Sequence, residues 1–261
     1  MIVFPNAKIN IGLKVVGKRQ DGYHDIETCF YPIPWNDVLE IVPSEKLEFH
    51  CYGLEIPGNE NENLCLKAYD LLAKDFSIPP VSIHLLKNIP MGGGLGGGSS
   101  NGAFTLSLLS DLFDLKLTTS QKIAYALLLG SDCPFFIQNQ PVIATGRGEL
   151  LEPVALSLAG QYLAIYNPGI HISTKEAFSK IQPQGSSRSI KSALENQNTW
   201  KTQLKNDFET SAFAIYPEIK RIKDEMIEAG AYYSSMTGTG STVYGLFSKK
   251  IVHDKWKILS L

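Results

Sequence analysis

The sequence predicts two domains that mix strands with helices, on three observations. At 261 residues the chain can bury a large core and suits two ordinary domains. Hydrophobic residues make up 44% and charged residues 19%, the balance of a soluble globular chain without disorder or coiled coil. Strand-like alternation and helix-like stripes follow one another and restart after residue 155, which divides the chain into 1–154 and 155–261.

Residues 7–17 (AKINIGLKVVG) alternate and carry β-branched side chains. They read as a strand with Lys8, Asn10 and Gly12 on one face and Ile9, Ile11 and Leu13 on the other. Residues 63–76 place apolar side chains at 64, 68, 71, 72 and 76, a helical stripe. Residues 81–87 read as a strand, and 99–113 as a helix whose N-cap is expected at Ser99 and Ser100. A second helix at about 119–129, the segment GSDCPFFI (130–137) and a hairpin over 140–154 follow. Then come a strand at 161–168, helices near 173–181, 203–215 and 217–229, and strands within 231–247. Residues 182–189 (QPQGSSRS) read as a mobile loop, and the last eleven residues carry no assignable pattern.

Several function classes are disfavoured. Lys+Arg 24 against Asp+Glu 26 leaves a net charge of -2, which argues against a broad nucleic-acid surface. The opening MIVFPNAKIN, cut by Pro5, lacks the charged and apolar regions of a secretory signal, and no apolar run reaches membrane-spanning length. Cys29, Cys51, Cys65 and Cys133 are scattered, as are the five histidines, which suits reduced thiols in the cytoplasm and shows no metal cluster.

The segment PMGGGLGGGSSNGA (90–103) has glycine at seven of its fourteen positions, between a strand and a helix. Bare backbone lets successive N–H groups turn toward one anion, and the following helix adds the positive end of its dipole. Gly92, Gly94 and Gly97 fit G-x-G-x-x-G, but Asp111 and Asp114 close a helix, where a dinucleotide site needs an acidic residue at the end of the next strand. Gly98 stands where a Walker loop needs lysine, so that motif is excluded.

With AKINIGLKVVGKRQDGYHDIET before it and MTGTGSTVYGLF after it, this segment resembles the three ordered motifs of the GHMP kinases, and the likeness spans nearly the whole chain. The resemblance implies an α+β, two-domain GHMP kinase fold. Its N-terminal domain would be ribosomal-protein-S5-domain-2-like and its C-terminal domain a ferredoxin-like α/β plait, with ATP and substrate meeting at their junction. It implies transfer of the ATP γ-phosphoryl group, with Mg²⁺ held mainly by phosphates and water, to a small molecule, a cytidine diphosphate sugar alcohol. Other small-molecule kinases of the family, acting on homoserine or mevalonate, should lack the Tyr23-His24 pair and Phe178. A third alternative is a non-catalytic binding protein on the same scaffold. A monomer or weak homodimer without nucleic-acid or membrane partners is expected.

Phosphoryl transfer needs an acceptor oxygen in line with phosphorus, a proton acceptor, and positive charge near the reacting oxygens. By resemblance Lys8 and Asp132 are the catalytic pair. A carboxylate is a far weaker base than an alkoxide, so Asp132 should take the proton late, while Lys8 hydrogen-bonds the same hydroxyl. The ATP site implied is Pro90, Met91, Gly92, Gly93, Gly94, Leu95, Gly96, Gly97, Gly98, Ser99 and Ser100, with Asn63 and Lys87 near the adenine and Gly238 and Gly240 beside the phosphates or supporting the loop. Ser241 stands where relatives often have proline. The substrate residues implied are Asn10, Tyr23, His24, Phe30, Thr174 and Phe178. Tyr23 and Phe178 would clamp the cytosine ring, whose edge His24 reads.

Overall fold

The structure, a computed structural model, describes residues 1–181 and 189–261. In chain order its elements begin with β1 (Ile2–Val3), β2 (Asn6–Lys18), β3 (His24–Asn36), β4 (Val38–Pro43), β5 (Glu48–Gly53), α1 (Leu64–Phe76) and β6 (Val81–Lys87). There follow α2 (Gly97–Leu112), α3 (Thr119–Leu129), α4 (Cys133–Gln138), β7 (Val142–Thr145), β8 (Leu150–Pro153) and β9 (Tyr162–Tyr166). The rest comprises α5 (Thr174–Ser179), α6 (Ile190–Leu194), α7 (Trp200–Gln203), α8 (Phe208–Ile215), α9 (Pro217–Glu228), β10 (Tyr233–Met236), β11 (Val243–Phe247) and β12 (Lys257–Ser260).

Two compact units divide these residues, the first made of 1–7, 35–91 and 96–140, the second of 8–34, 92–95 and 141–261. In the first, a sheet of order β1-β4-β6-β5 meets α2 through β4, and α1, α3 and α4 pack against α2. The β4–β6 register pairs Leu39 with Leu85 and Ile41 with Ile83, so all four point to one face, and all four are fully buried. Helix α2 lies against α1, α3 and α4 and buries Leu106 and Leu109. Its length and the apolar stripe of α1 (Cys65, Ala68, Leu72) supply the other half of this core.

The second unit holds two sheets, β2-β3-β7-β8 and β10-β11-β9-β12. Strand β11 is buried along its whole length because it runs between β10 and β9 with a helix on its face. That helix is α9, whose Ile219, Ile222 and Met226 fall on one stripe and join Phe208, Ala212, Ala164 and Val243 in a common core.

The helix expected from 203 begins only at Phe208. Leu13 N donates to Lys205 O and Asp207 N to Leu13 O, both at 2.9 Å, so residues 205–207 give their backbone groups to β2. A tertiary bridge overrides the local helical pattern here. The serine N-cap expected for α2 is also corrected. The cap is Gly96, at φ 72°, a left-handed conformation that a serine would adopt only with strain. Ser99 and Ser100 lie inside the first turn. Of the loop expected over 182–189, only Ser189 falls among the described residues, where it caps α6 by accepting from Ser192 N.

No disulfide forms. Cys29, Cys65 and Cys133 are buried, and desolvation pushes each of these thiols up to about 12. Cys51, on the edge strand β5, is exposed. Among the described residues no helix is long and apolar enough to cross a membrane.

Candidate active site

Strand β2 presents the first group of residues in the second unit. Lys8 is only 3% exposed; its Nζ donates to Asn10 Oδ1 at 2.6 Å and lies 4.8 Å from the centre of the Phe30 ring. A buried ammonium held by an amide oxygen and an aromatic face keeps one orientation. Asn10 in turn donates from Nδ2 to Thr28 Oγ1 (3.0 Å), while its Oδ1 accepts from Gly238 N (3.0 Å). Phe30 sits in the core beneath Lys8, at 2% exposure.

The stretch Gly92–Leu95 belongs to the same unit and is tied to the same strand. Lys8 N donates to Leu95 O at 2.9 Å, and Thr237 Oγ1 lies 3.1 Å from Gly94 O. A Cβ on Gly94 would collide with Thr237 O, and one on Gly238 would stand 2.9 Å from Gly94 Cα. The two glycine motifs therefore pass backbone against backbone, which explains why both lack side chains. Asn206 fixes the later one: Nδ2 donates to Met236 O (2.7 Å) and Gly238 O (2.8 Å), and Oδ1 accepts from Phe208 N (3.0 Å). The sequence marks neither Thr237 nor Asn206 as a site residue. An Asn following a helical stretch carries no periodic signal, and its value lies in carbonyls about thirty residues away.

Three aromatic rings stand together in this unit. His24 stacks on Phe178 with ring centres 4.9 Å apart at 23°, and Phe178 meets Phe208 edge-on at 4.8 Å. Tyr23 is 56% exposed, with the Arg147 guanidinium 4.9 Å above its ring. Arg147, in the turn between β7 and β8, is an addition to the residues expected from the sequence. Thr174 opens α5 behind the cap Ser173 and is exposed.

In the first unit, Pro90 and Met91 lead out of the sheet after β6, and Gly96–Ser100 enter α2. No side chain caps the α2 N-terminus, so the first-turn N–H groups and the positive end of the dipole are left for an external acceptor. Among the described residues, Ser100 Oγ is the buried side-chain polar atom without a hydrogen-bond partner. A hydroxyl removed from water and unbonded is costly unless a ligand supplies the partner. A Cβ on Gly98 would meet nothing closer than Met91 Cε at 3.7 Å, so that side of the turn is open. These features fit a bound phosphate. Asn63 caps α1 by accepting from Cys65 N at 2.9 Å. Lys87 is fully buried and ion-paired with Asp37; burial lowers its pKa and the carboxylate opposes the shift. Asp132 occupies the N-cap position of α4 yet makes no side-chain capping bond to that helix. Among the described residues no group of three or more His, Cys, Asp or Glu is placed to hold a metal ion.

Comparison with known proteins gives this arrangement its class. Residues 63–146 match the GHMP kinases N terminal domain and residues 185–257 the GHMP kinases C terminal domain. The chain belongs to the GHMP kinase family and has its α+β fold. It is 49% identical over 252 residues to the 4-diphosphocytidyl-2-C-methyl-D-erythritol kinase of Cytophaga hutchinsonii, covering 96% of this chain and 93% of that one. The enzyme of the same name from Bacteroides thetaiotaomicron is 51% identical over 252 residues, with 95% and 92% covered. A crystal structure of a 4-(cytidine 5'-diphospho)-2C-methyl-D-erythritol kinase superposes with a TM-score of 0.80 at 32% identity, over 94% of this chain and 90% of that one.

Proposed function

We propose that the protein transfers the γ-phosphoryl group of ATP to the 2-hydroxyl of 4-diphosphocytidyl-2-C-methyl-D-erythritol, a step toward isoprenoid precursors outside the mevalonate route. The observation that carries this is the near-50% identity to kinases of that name over almost the whole chain. The uncapped α2 N-terminus, the unpartnered Ser100 hydroxyl and the open side at Gly98 support a nucleotide phosphate there. Mg²⁺ would enter with the nucleotide, bound by phosphate oxygens and water. Asp132 accepts the hydroxyl proton and Lys8, oriented by Asn10, steadies the negative charge of the reacting oxygens. We further propose a domain boundary at 154/155, a cytoplasmic monomer or weak homodimer, and no nucleic-acid partner.

ADP release measured against a panel of alcohols tests the activity. The cytidine compound should support turnover, with homoserine and mevalonate near background. Turnover of either alternative in preference to it would move the assignment within the family, and ATP binding without any transfer would return the scaffold to a binding role.

Substrate identity has its own test at the His24–Phe178 stack. His24→Ala should weaken the cytidine compound by about 1 to 3 kcal/mol, the cost of leaving a buried partner on the base unsatisfied. The KM for ATP should stay within about twofold, since the nucleotide is held elsewhere. A uracil analogue should be a poor substrate and lose less on the same change, because its edge offers the wrong donors and acceptors. Equal losses for both bases would remove His24 from base reading.

A further inference from the structure

Asp37, between β3 and β4, is an acidic residue with no exposed surface. Its carboxylate gathers four donors. Oδ1 accepts from Asn88 N at 2.7 Å and Ile89 N at 2.9 Å, and Oδ2 accepts from Asn101 Nδ2 at 2.9 Å and from Lys87 Nζ. These donors lie on both sides of the glycine run Gly92–Gly98 along the chain. Residues 87–89 carry the chain from β6 toward it, and Asn101 follows it within α2. Lys87 Nζ is also the atom that a Cβ on Gly97 would meet, at 2.8 Å. One buried anion thus fastens the strand that enters the segment to the helix that leaves it, and touches its inner side through Lys87.

We propose that Asp37 is a positioning residue for the ATP phosphates: it sets the spacing between the end of β6 and the start of α2, and so the direction of the N–H groups at Gly97, Gly98 and Ser99. The inference rests on the reading of that segment as the phosphate site. A carboxylate suits the task because it accepts from several donors at once, and charge-assisted bonds in a buried network resist bending more than neutral ones. Burial drives Lys87 toward its neutral form, and the Asp37 carboxylate beside it opposes this. An amide at position 37 would retain an acceptor for the backbone N–H groups but would leave the Lys87 charge unpaired.

Two variants separate positioning from bulk stability. Asp37→Asn combined with Lys87→Met removes the ion pair without stranding a buried charge, and Asn101→Ala removes one donor while the ion pair stays. Folding is followed by circular dichroism and nucleotide binding by titration with a fluorescent ATP analogue, without the alcohol present. In the double variant the analogue should bind about tenfold more weakly, and in Asn101→Ala about threefold, the scale of one or two lost network bonds. The KM for the alcohol should stay within about twofold, a split that simple loss of stability would not produce. Should the double variant fail to fold, Asn101→Ala decides. Folded variants that hold the analogue as tightly as the wild type would overturn the proposal. A wild type that does not bind the analogue would remove the phosphate site and Asp37's role with it. A wild type that binds the analogue but transfers nothing to the cytidine compound would sink the kinase assignment alone and leave the Asp37 result standing.

Discussion

Asp132→Asn is expected to lower kcat by about 10²-fold or more, the scale of losing a general base, while ATP affinity stays within about twofold. The amide keeps the shape and volume of the carboxylate but cannot take the hydroxyl proton. The structure sharpens this expectation, because the simplest structural role for an Asp before Cys-Pro is to cap the helix, and Asp132 makes no such bond to α4. Removing a cap would cost stability; removing a base costs turnover. Single-turnover kinetics together with a melting curve distinguish them. A variant with near-normal kcat would make Asp132 structural and leave the proton acceptor unassigned.

Gly98→Ala is expected to leave the free protein as stable as the wild type or slightly more so, and still to weaken ATP binding about tenfold, the loss of about 1.4 kcal/mol that a displaced phosphate contact would cost. The two effects have opposite signs for physical reasons. Gly98 lies in the first turn of α2 with only Met91 Cε near a new methyl, at 3.7 Å, and alanine favours helix over glycine by about 0.5 to 1 kcal/mol. The free chain has no need of glycine at this position, so any penalty must come from the ligand. Gly94 contrasts with it, since there the backbone of Thr237 already excludes a side chain and a substitution would disturb the fold whether or not nucleotide is bound. Calorimetric ATP titration and thermal melts on Gly98→Ala and Gly94→Ala should separate the two classes. Undiminished ATP affinity in Gly98→Ala would detach the bare backbone at 98 from phosphate binding.

Much of the fold was legible where periodicity was strong. The alternation of residues 7–17 yields β2, the stripe of 63–76 yields α1, and the glycine segment leads from β6 into α2 as expected. Strand β3 is hidden in the sequence because Pro32 and Pro34 interrupt a run that otherwise reads as a strand. Strand β12 is four residues long and gains its identity only by pairing along its length with β9, from Lys257 opposite Ile165 to Ser260 opposite Tyr162. The candidate site could be read as an expectation where side-chain type and motif coincide, as at Lys8 and the glycines. It was illegible where a residue acts on distant backbone, as Asn206, Thr237 and Asp37 do, since nothing in the local sequence marks which carbonyls or amides will face them.

The distribution of thiols has a consequence for handling and for oxidative stress. Three of the four sulfurs are shielded and held in the unreactive protonated form, including Cys133 beside the proposed base, while Cys51 alone is exposed on an edge strand. Each folded molecule therefore presents one accessible thiol, a chemical valence of one toward disulfide formation and maleimides. Cross-linking by air must stop at a covalent pair and cannot grow into a network, and a single dye can be placed at one known position without touching the residues proposed for catalysis.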